Sequence, residues 1–312
     1  MHLVHQQNIE RLILSIKFDN IYQVITLLFH EARLNWLFVR RDITAVLLPG
    51  LVFTSTALHT HTSSLIEWAL TLGQSTLYFW LCLTTCCIPN QLVGFEEDRH
   101  NKPDRPLVSG MVSYRGAQVR FAIAIILLIA FGAYLEILEW ACLGLFCVIV
   151  HDCLGLSHHW LTKNLFIAGG IFSIFAAAWQ MVTPLTAIAW EWIGFLAGVW
   201  LVLAHIQDLR DMEGDRTVGR KTFPLVFGEM TSRVVLSLGF GLLPLFVHII
   251  LMLPAGNHFA VLLWDGILAI ASWSIAARIL VYRTSQADRR TYMLFTGWHC
   301  LMLTSSFFVM SV

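Results

Sequence analysis

Two stretches of this chain hold acids and bases at spacings that suit chemistry. The first is Asn90 to Gly110, N-Q-L-V-G-F-E-E-D-R-H-N-K-P-D-R-P-L-V-S-G. The second is Asp208 to Gly228, D-L-R-D-M-E-G-D-R-T-V-G-R-K-T-F-P-L-V-F-G. A helix turns about 100° per residue. Asn90, Gly94 and Asp98 therefore share a face, and Glu97 returns to nearly the direction of Asn90. Asp208, Asp211 and Asp215, three and four apart, share another. Carboxylates aligned at a helix end are ligands for a hard divalent cation. Mg²⁺ fits best, because it prefers oxygen, keeps several waters and usually completes its shell with phosphate. The adjoining bases Lys102, Arg105, Arg216, Arg220 and Lys221 suit a diphosphate. Any one of these acids, taken alone, reads as a solvated interfacial loop. The pair does not: both clusters have helical spacing, both precede a K/R-x-x-x-P stretch and both end in glycine. They read as two halves of one diphosphate–Mg²⁺ site.

The elements that must position these halves are apolar. Of 312 residues, 57% are hydrophobic and 13% charged, about half the charge of a soluble domain. The chain therefore reads as an all-α, polytopic protein of the lipid bilayer. Its formal net charge is zero, which gives no reason to expect a nucleic-acid partner, and nothing points to an obligate protein partner. Runs long enough to span fall near 43–60, 66–94, 116–135, 138–157, 165–182, 185–206, 233–253, 260–280 and 292–311. That is nine transmembrane helices, and the two long linkers between them, 95–115 and 207–232, carry the acid clusters. Residues 1–42 mix apolar and charged positions (Ile9, Leu12, Ile13, Ile16, Ile21, Val24, Ile25, Leu28) at roughly helical spacing. They read as an amphipathic cytosolic or interfacial segment, with 43–312 as the intramembrane domain. No cleavable signal peptide is expected at the polar amino terminus.

With nine spans, no Lys or Arg falls in the loops near 61–65, 136–137, 183–184 or 254–259. The basic side stays cytosolic, which puts the amino terminus and both acid clusters in the cytosol and the carboxyl terminus outside. The seven cysteines lack a C-x-x-C pair and read as packing residues, not zinc ligands. Gly169, Gly170, Gly194 and Gly198 would allow close helix contact. His151 and Asp152 lie near the cytosolic end of the fourth span, where Asp152 reads as a structural hydrogen-bonding group rather than a proton acceptor. His158 and His159 read as interface residues. Gln180, Glu191, His248, Asp265 and His299 receive no chemical role.

The motif pair resembles that of the UbiA-type intramembrane prenyltransferases, N-D-x-x-D-x-x-x-D with N/R-x-x-R-P-L-x-S-G, then D-x-x-D-x-x-x-D with G-x-x-T-x-P-x-x-x-G. Asn90, Asp98, Arg105-Pro106-Leu107, Ser109 and Gly110 match the first. Asp208, Asp211, Asp215, Gly219, Thr222, Pro224 and Gly228 match the second. The resemblance covers about residues 43–312. It implies a nine-helix fold, catalytic Asn90, Asp98, Asp208, Asp211 and Asp215, and metal ligation by these residues. It also implies diphosphate binding by Lys102, Arg105, Lys163, Arg216 and Lys221. Gln91 and Gly94 stand where the family has aspartates, and Glu97 is a possible replacement ligand. That departure is similar to the fungal UbiA-type terpene cyclases.

The implied activity is Mg²⁺-dependent ionisation of farnesyl or geranylgeranyl diphosphate and cyclisation of the cation, in terpenoid secondary metabolism. The implied location is multi-pass in the endoplasmic reticulum membrane with a cytosolic site. Trp80, Trp179, Trp200 and Trp273 are candidates to face the cation by cation–π attraction. Transfer of the prenyl group to an aromatic acceptor is the nearest alternative, and a transporter or scaffold the more distant one.

Overall fold

A computed structural model describes residues 23–61 and 64–310. Among them every regular element is helical, and the only β-bridge pairs His159 with Lys221. Helix α1 runs over 23–39. It is followed by α2 (Leu47–Thr60), α3 (Leu65–Val93), α4 (Phe95–Asn101), α5 (Tyr114–Tyr134) and α6 (Leu138–Val148). Then come α7 (Trp160–Gln180), α8 (Ala187–Leu203), α9 (Ile206–Thr217), α10 (Phe223–Phe227), α11 (Glu229–Val247), α12 (Phe259–Val281) and α13 (Ser285–Val309).

Each of the nine expected apolar runs coincides with a helix: α2, α3, α5, α6, α7, α8, α11, α12 and α13. By length and apolarity, however, only four described helices qualify as membrane spans: α5, α7, α11 with its extension to Ala255, and α12. A fifth qualifies if α8 and α9, bent by 41° at a short break, count as one. The reason is local. Helices α2, α6 and α8 have 14, 11 and 17 residues, short of the ~20 that cross a hydrocarbon core. Helices α3 and α13, with 29 and 25 residues, are long enough but interleave polar residues such as Gln74, Asn90, His299 and Ser305.

The span helices differ in placement. In α7 half of the span is buried, against 22%, 33% and 28% for α5, α11 and α12. Helix α7 is thus the central post, and the others turn Ile126, Leu238, Leu242 and Ile270 outward, as lipid-facing helices do. The core joins Phe53, Tyr78, Phe79, Phe175, Trp179, Trp192, Phe240, Phe295 and Trp298. Arg233 of α11 grips Asp288 of α13 with two hydrogen bonds, both side chains buried. A buried pair of this kind has its desolvation cost met by its own geometry.

The amino-terminal expectation is divided. Its residues Ile9 to Ile21 lie outside the described residues. Within α1, Val24, Ile25 and Leu28 are exposed, but Leu34, Phe38 and Val39 are buried in the common core. Asn35 accepts a hydrogen bond from Trp80 of α3 at 2.6 Å. A boundary at residue 42 therefore does not mark a break in packing. Of the four glycines expected at helix contacts, only Gly169 is one: a Cβ there would lie 2.7 Å from the Cys147 sulfur. Gly170, Gly194 and Gly198 have open space around that position.

Candidate active site: an acid–base rim over an apolar chamber

Three joints in the chain deliver the polar residues. Helix α3 contains Pro89, which removes a backbone donor near the helix end. One turn later the helix breaks at Gly94, and α4 begins with three acids in its first turn, Glu96, Glu97 and Asp98. On the opposite side the bend after Leu203 turns α9 so that Asp208, Asp211 and Asp215 are all buried. Their common face points inward, as the spacing required. Third, α6 ends in a π turn, Ile149–Cys153.

These joints meet at one cavity of about 240 Å³. Its polar rim contains Asn90, Glu97, Asp98, Lys102, Arg105, His151, Asp152, Lys163, Gln207, Arg210, Asp211 and Arg220. Its deeper wall contains Leu83, Cys86, Cys147, Phe166, Ile167, Ile171, Ile174 and Trp200. Asp98 and Asp211, one from each motif, line the same cavity. The clusters are also tied directly. Arg220, beyond α9, pairs with Glu97 of α4 at 2.5 Å and with Asp215 of α9 at 3.1 Å.

Each buried acid of the two motifs has a basic neighbour. Asp98 accepts from Arg105 and lies 3.4 Å from Lys102; Lys102 is also 3.8 Å from Glu97. Asp208 is paired with Lys163, and Asp211 with Arg210 at 3.1 Å. Asn90 accepts from Arg105 at 3.2 Å and donates to Asp152 at 3.4 Å. Arg210 in turn stacks over the Tyr292 ring, 4.0 Å from its centre. Burial acts to lower the Arg105 guanidinium, but Asp98 and Asp42 beside it hold it above its ordinary value. The same contest leaves Arg220 raised, with Glu97 and Asp215 as its partners. Outside the rim, the Arg41 hydrogen bond holds the Asp104 carboxyl below the usual carboxylate range.

Two expected diphosphate ligands lie outside this cavity. Arg216 and Lys221 are exposed and do not line the cavity. Arg216 sits one residue past Asp215, so the helix turns it about 100° off the acidic face. Lys221 is held by its backbone, which pairs with His158 and Trp160. Arg220, between them in the sequence, takes the inward position. Asp208 and Asp215 are fully buried behind the rim, next to Lys163 and Arg220, rather than on the cavity surface.

Sequence reasoning missed Arg210, Tyr292, Gln207 and Asp42. Arg210 lies inside the second motif, so its type and place were a usable signal; Tyr292 and Asp42 come from distant segments and left none. Of the four tryptophans singled out, only Trp200 lines the chamber. Trp80 bonds Asn35, Trp179 is buried elsewhere, and Trp273 is exposed and bonds a backbone carbonyl of α11.

The donor set suits a hard cation. Four carboxylates, Glu97, Asp98, Asp211 and Asp215, stand at or just behind the rim, and Asp215 Oδ2 is buried without a hydrogen-bond partner. Among the described residues, no three His, Cys, Asp or Glu side chains already converge on one metal position. The bases lie between the acids and separate charges that would otherwise repel.

A profile of the UbiA prenyltransferase family matches residues 46–299. The chain belongs to that family. It is 41% identical to the somaliensene A/B synthase of Streptomyces somaliensis, over 90% of this chain and 94% of that one. It is 33% identical to the diterpene cyclase eriG of Hericium erinaceus, over 84% of each. It is 31% identical to the polyprenyl transferase eriF of the same fungus, over 89% of this chain and 94% of that one. Among solved structures it resembles a UbiA homologue from Archaeoglobus fulgidus bound to DMAPP and Mg²⁺. The TM-score is 0.64 at 16% identity, with 89% of this chain and 99% of that one covered. At that identity the likeness concerns the fold.

Proposed function

We propose that the protein is a membrane-embedded terpene cyclase that ionises farnesyl or geranylgeranyl diphosphate with Mg²⁺ and cyclises the resulting cation. The observation that carries this reading is the single cavity. Acids and bases from both motifs crowd its rim, and an apolar wall bearing Phe166 and Trp200 lies beneath.

Lys102, Arg105, Lys163 and Arg220 place positive charge where a diphosphate would sit, so the leaving oxygen meets preorganised countercharge. Asp98, Asp211, Glu97 and Asp215 would hold the metal, and Mg²⁺ when bound neutralises the charge that builds on the departing group. Arg105 and Arg220 each touch acids at the rim, and moving from carboxylate to phosphate costs such a guanidinium little, since both offer paired oxygens. The apolar wall keeps water from the allyl cation. The Trp200 face steadies it by about 0.5–2 kcal/mol of cation–π attraction.

The metal set is thus Glu97, Asp98, Asp211 and Asp215 with Asn90 as a neutral member and Asp208 behind them holding Lys163, and the diphosphate set is Lys102, Arg105, Lys163 and Arg220. The nine helices matching the expected runs cross the membrane, the short ones within the bundle, and the rim faces the cytosol. Residues 1–42 serve as an interfacial segment whose last turns support the bundle.

The test is incubation of membranes containing the protein with each prenyl diphosphate and Mg²⁺, without acceptor. A cyclic hydrocarbon is expected. Its absence, with a prenylated product forming only when a phenol is added, would replace this reading by aromatic prenyl transfer. The likeness to a polyprenyl transferase keeps that second reading in play.

A further inference from the structure

A cation that meets no acceptor must lose a proton to leave as a neutral hydrocarbon. If the proposed cyclase reading holds, some base must therefore face the chamber. Lys102, Arg105, Lys163, Arg210 and Arg220 are engaged with acids, and the deeper wall is apolar. One group stands apart. His151 lines the cavity from the π turn at the end of α6, and its Nδ1 lies 2.8 Å from Asp152 Oδ1. A carboxylate oxygen accepts, so in the neutral tautomer that donates Nδ1–H to Asp152 the lone pair is on Nε2. Nε2 is buried and has no hydrogen-bond partner. Asp152 Oδ1 is less free, since it also accepts from Asn90 at 3.4 Å.

The local backbone is what makes this pair. Consecutive residues of an α-helix point about 100° apart. Here the π turn, an insertion often found at functional sites, brings His151 and Asp152 both to the cavity wall.

We infer that His151 is the base that ends the reaction and that Asp152 is its positioning residue. A C–H bond on the carbon next to the cationic carbon breaks, and its electron pair becomes the new C=C bond. The proton goes to His151 Nε2. The imidazolium so formed is held against the Asp152 carboxylate until it passes the proton to the departing diphosphate or to water. Charge and atoms balance: prenyl cation gives hydrocarbon plus one proton.

The experiment uses the full chain in lipid vesicles with Mg²⁺ and whichever prenyl diphosphate the unmodified protein consumes. Diphosphate released and hydrocarbon formed are measured together. For His151→Gln, the native hydrocarbon per diphosphate released should fall at least about 10²-fold, the lower end of what general bases contribute. Alcohols from water capture, or olefins from earlier proton loss, should take its place. Asp152→Asn, nearly the same size, should shift toward the same diverted products to a smaller extent, which a merely structural role would not produce. An unchanged product ratio in His151→Gln overturns the assignment. If that variant releases no diphosphate, an unchanged ratio in Asp152→Asn overturns it instead. If the unmodified protein forms no hydrocarbon at all, the cyclase reading falls and the base falls with it.

Discussion

Asp98 and Asp211 can act only because bases stand beside them. Buried carboxylates at one cavity would repel each other without Arg105, Lys102 and Arg210 between them. Asp98→Ala and Asp211→Ala should each lower turnover by at least about 10²-fold, the scale of losing a preorganised charged group, while the protein still reaches the membrane. Product formation and membrane abundance, measured on the same preparation, check this. Lys163 separates structure from chemistry. It is buried against Asp208, which is itself fully buried. Lys163→Met should therefore destabilise by about 3–5 kcal/mol, because it leaves the buried Asp208 only the contact to His205 at 3.4 Å. Adding Asp208→Leu should restore most of the thermal stability in detergent but not the activity. A single variant as stable as the original would show that Asp208 finds another partner. At this scale the acids were legible, as were Lys102, Arg105 and Lys163, but the bases at the end of α9 were not. Asp208, Asp211 and Asp215 are fixed by helical periodicity inside α9. Arg216, Arg220 and Lys221 straddle the end of α9 at Thr217, where periodicity no longer says which way a side chain points. The inward base turned out to be Arg220.

Gly94 shows why a motif read as a row of ligands misleads at the level of elements. It occupies a place where the family pattern has an aspartate, and its replacement by Asp suggests itself as a way to add a metal ligand. In the structure Gly94 is the joint between α3 and α4, and a Cβ there would lie 2.8 Å from the backbone oxygen of Asn90. That oxygen cannot move without moving Asn90, which holds Arg105 and Asp152. Gly94→Ala should thus impair diphosphate release nearly as much as Gly94→Asp. If Ala is harmless and Asp alone changes the metal dependence, position 94 is a ligand site after all. The helices themselves were largely visible beforehand, since each apolar run became one. What periodicity could not supply were the short polar pieces, α4 with 7 residues and α10 with 5, and the π turn. A run of that length contains too few turns to display a face, yet these pieces aim the side chains that matter.

The whole molecule poses a question of counting. Four helices, or five with the bent pair, are long and apolar enough to cross a bilayer unaided, whereas the distribution of Lys and Arg argues for nine crossings. The two agree if a bundle shelters its short members. Helix α2 need not meet lipid along its whole length, because it packs between α3, α7 and α13, while α6 is carried on by the π turn to Cys153, and backbone polar groups are satisfied within any helix. Polar side chains such as Thr54, Thr56 and Ser306 are likewise buried inside the bundle, and Thr56 and Ser306 bond each other at 2.9 Å. Cysteines introduced one at a time can decide the matter. The native cysteines are first replaced by alanine or serine. With nine crossings, a membrane-impermeant thiol reagent added from outside should label positions 136 and 256. Positions 109 and 284 should react only after the membrane is opened. The reagent should find 109 and 284 on one side because Ser109 lies in the first motif and Thr284 precedes α13, whose first turn anchors Arg233. Labelling of 136 and 109 from the same side would mean that α5 does not cross, although it is the most lipid-exposed of the four unaided spans. That result would also remove the argument for a cytosolic rim, because the basic residues on the two sides of α5 would then share a face with the loop they were supposed to avoid.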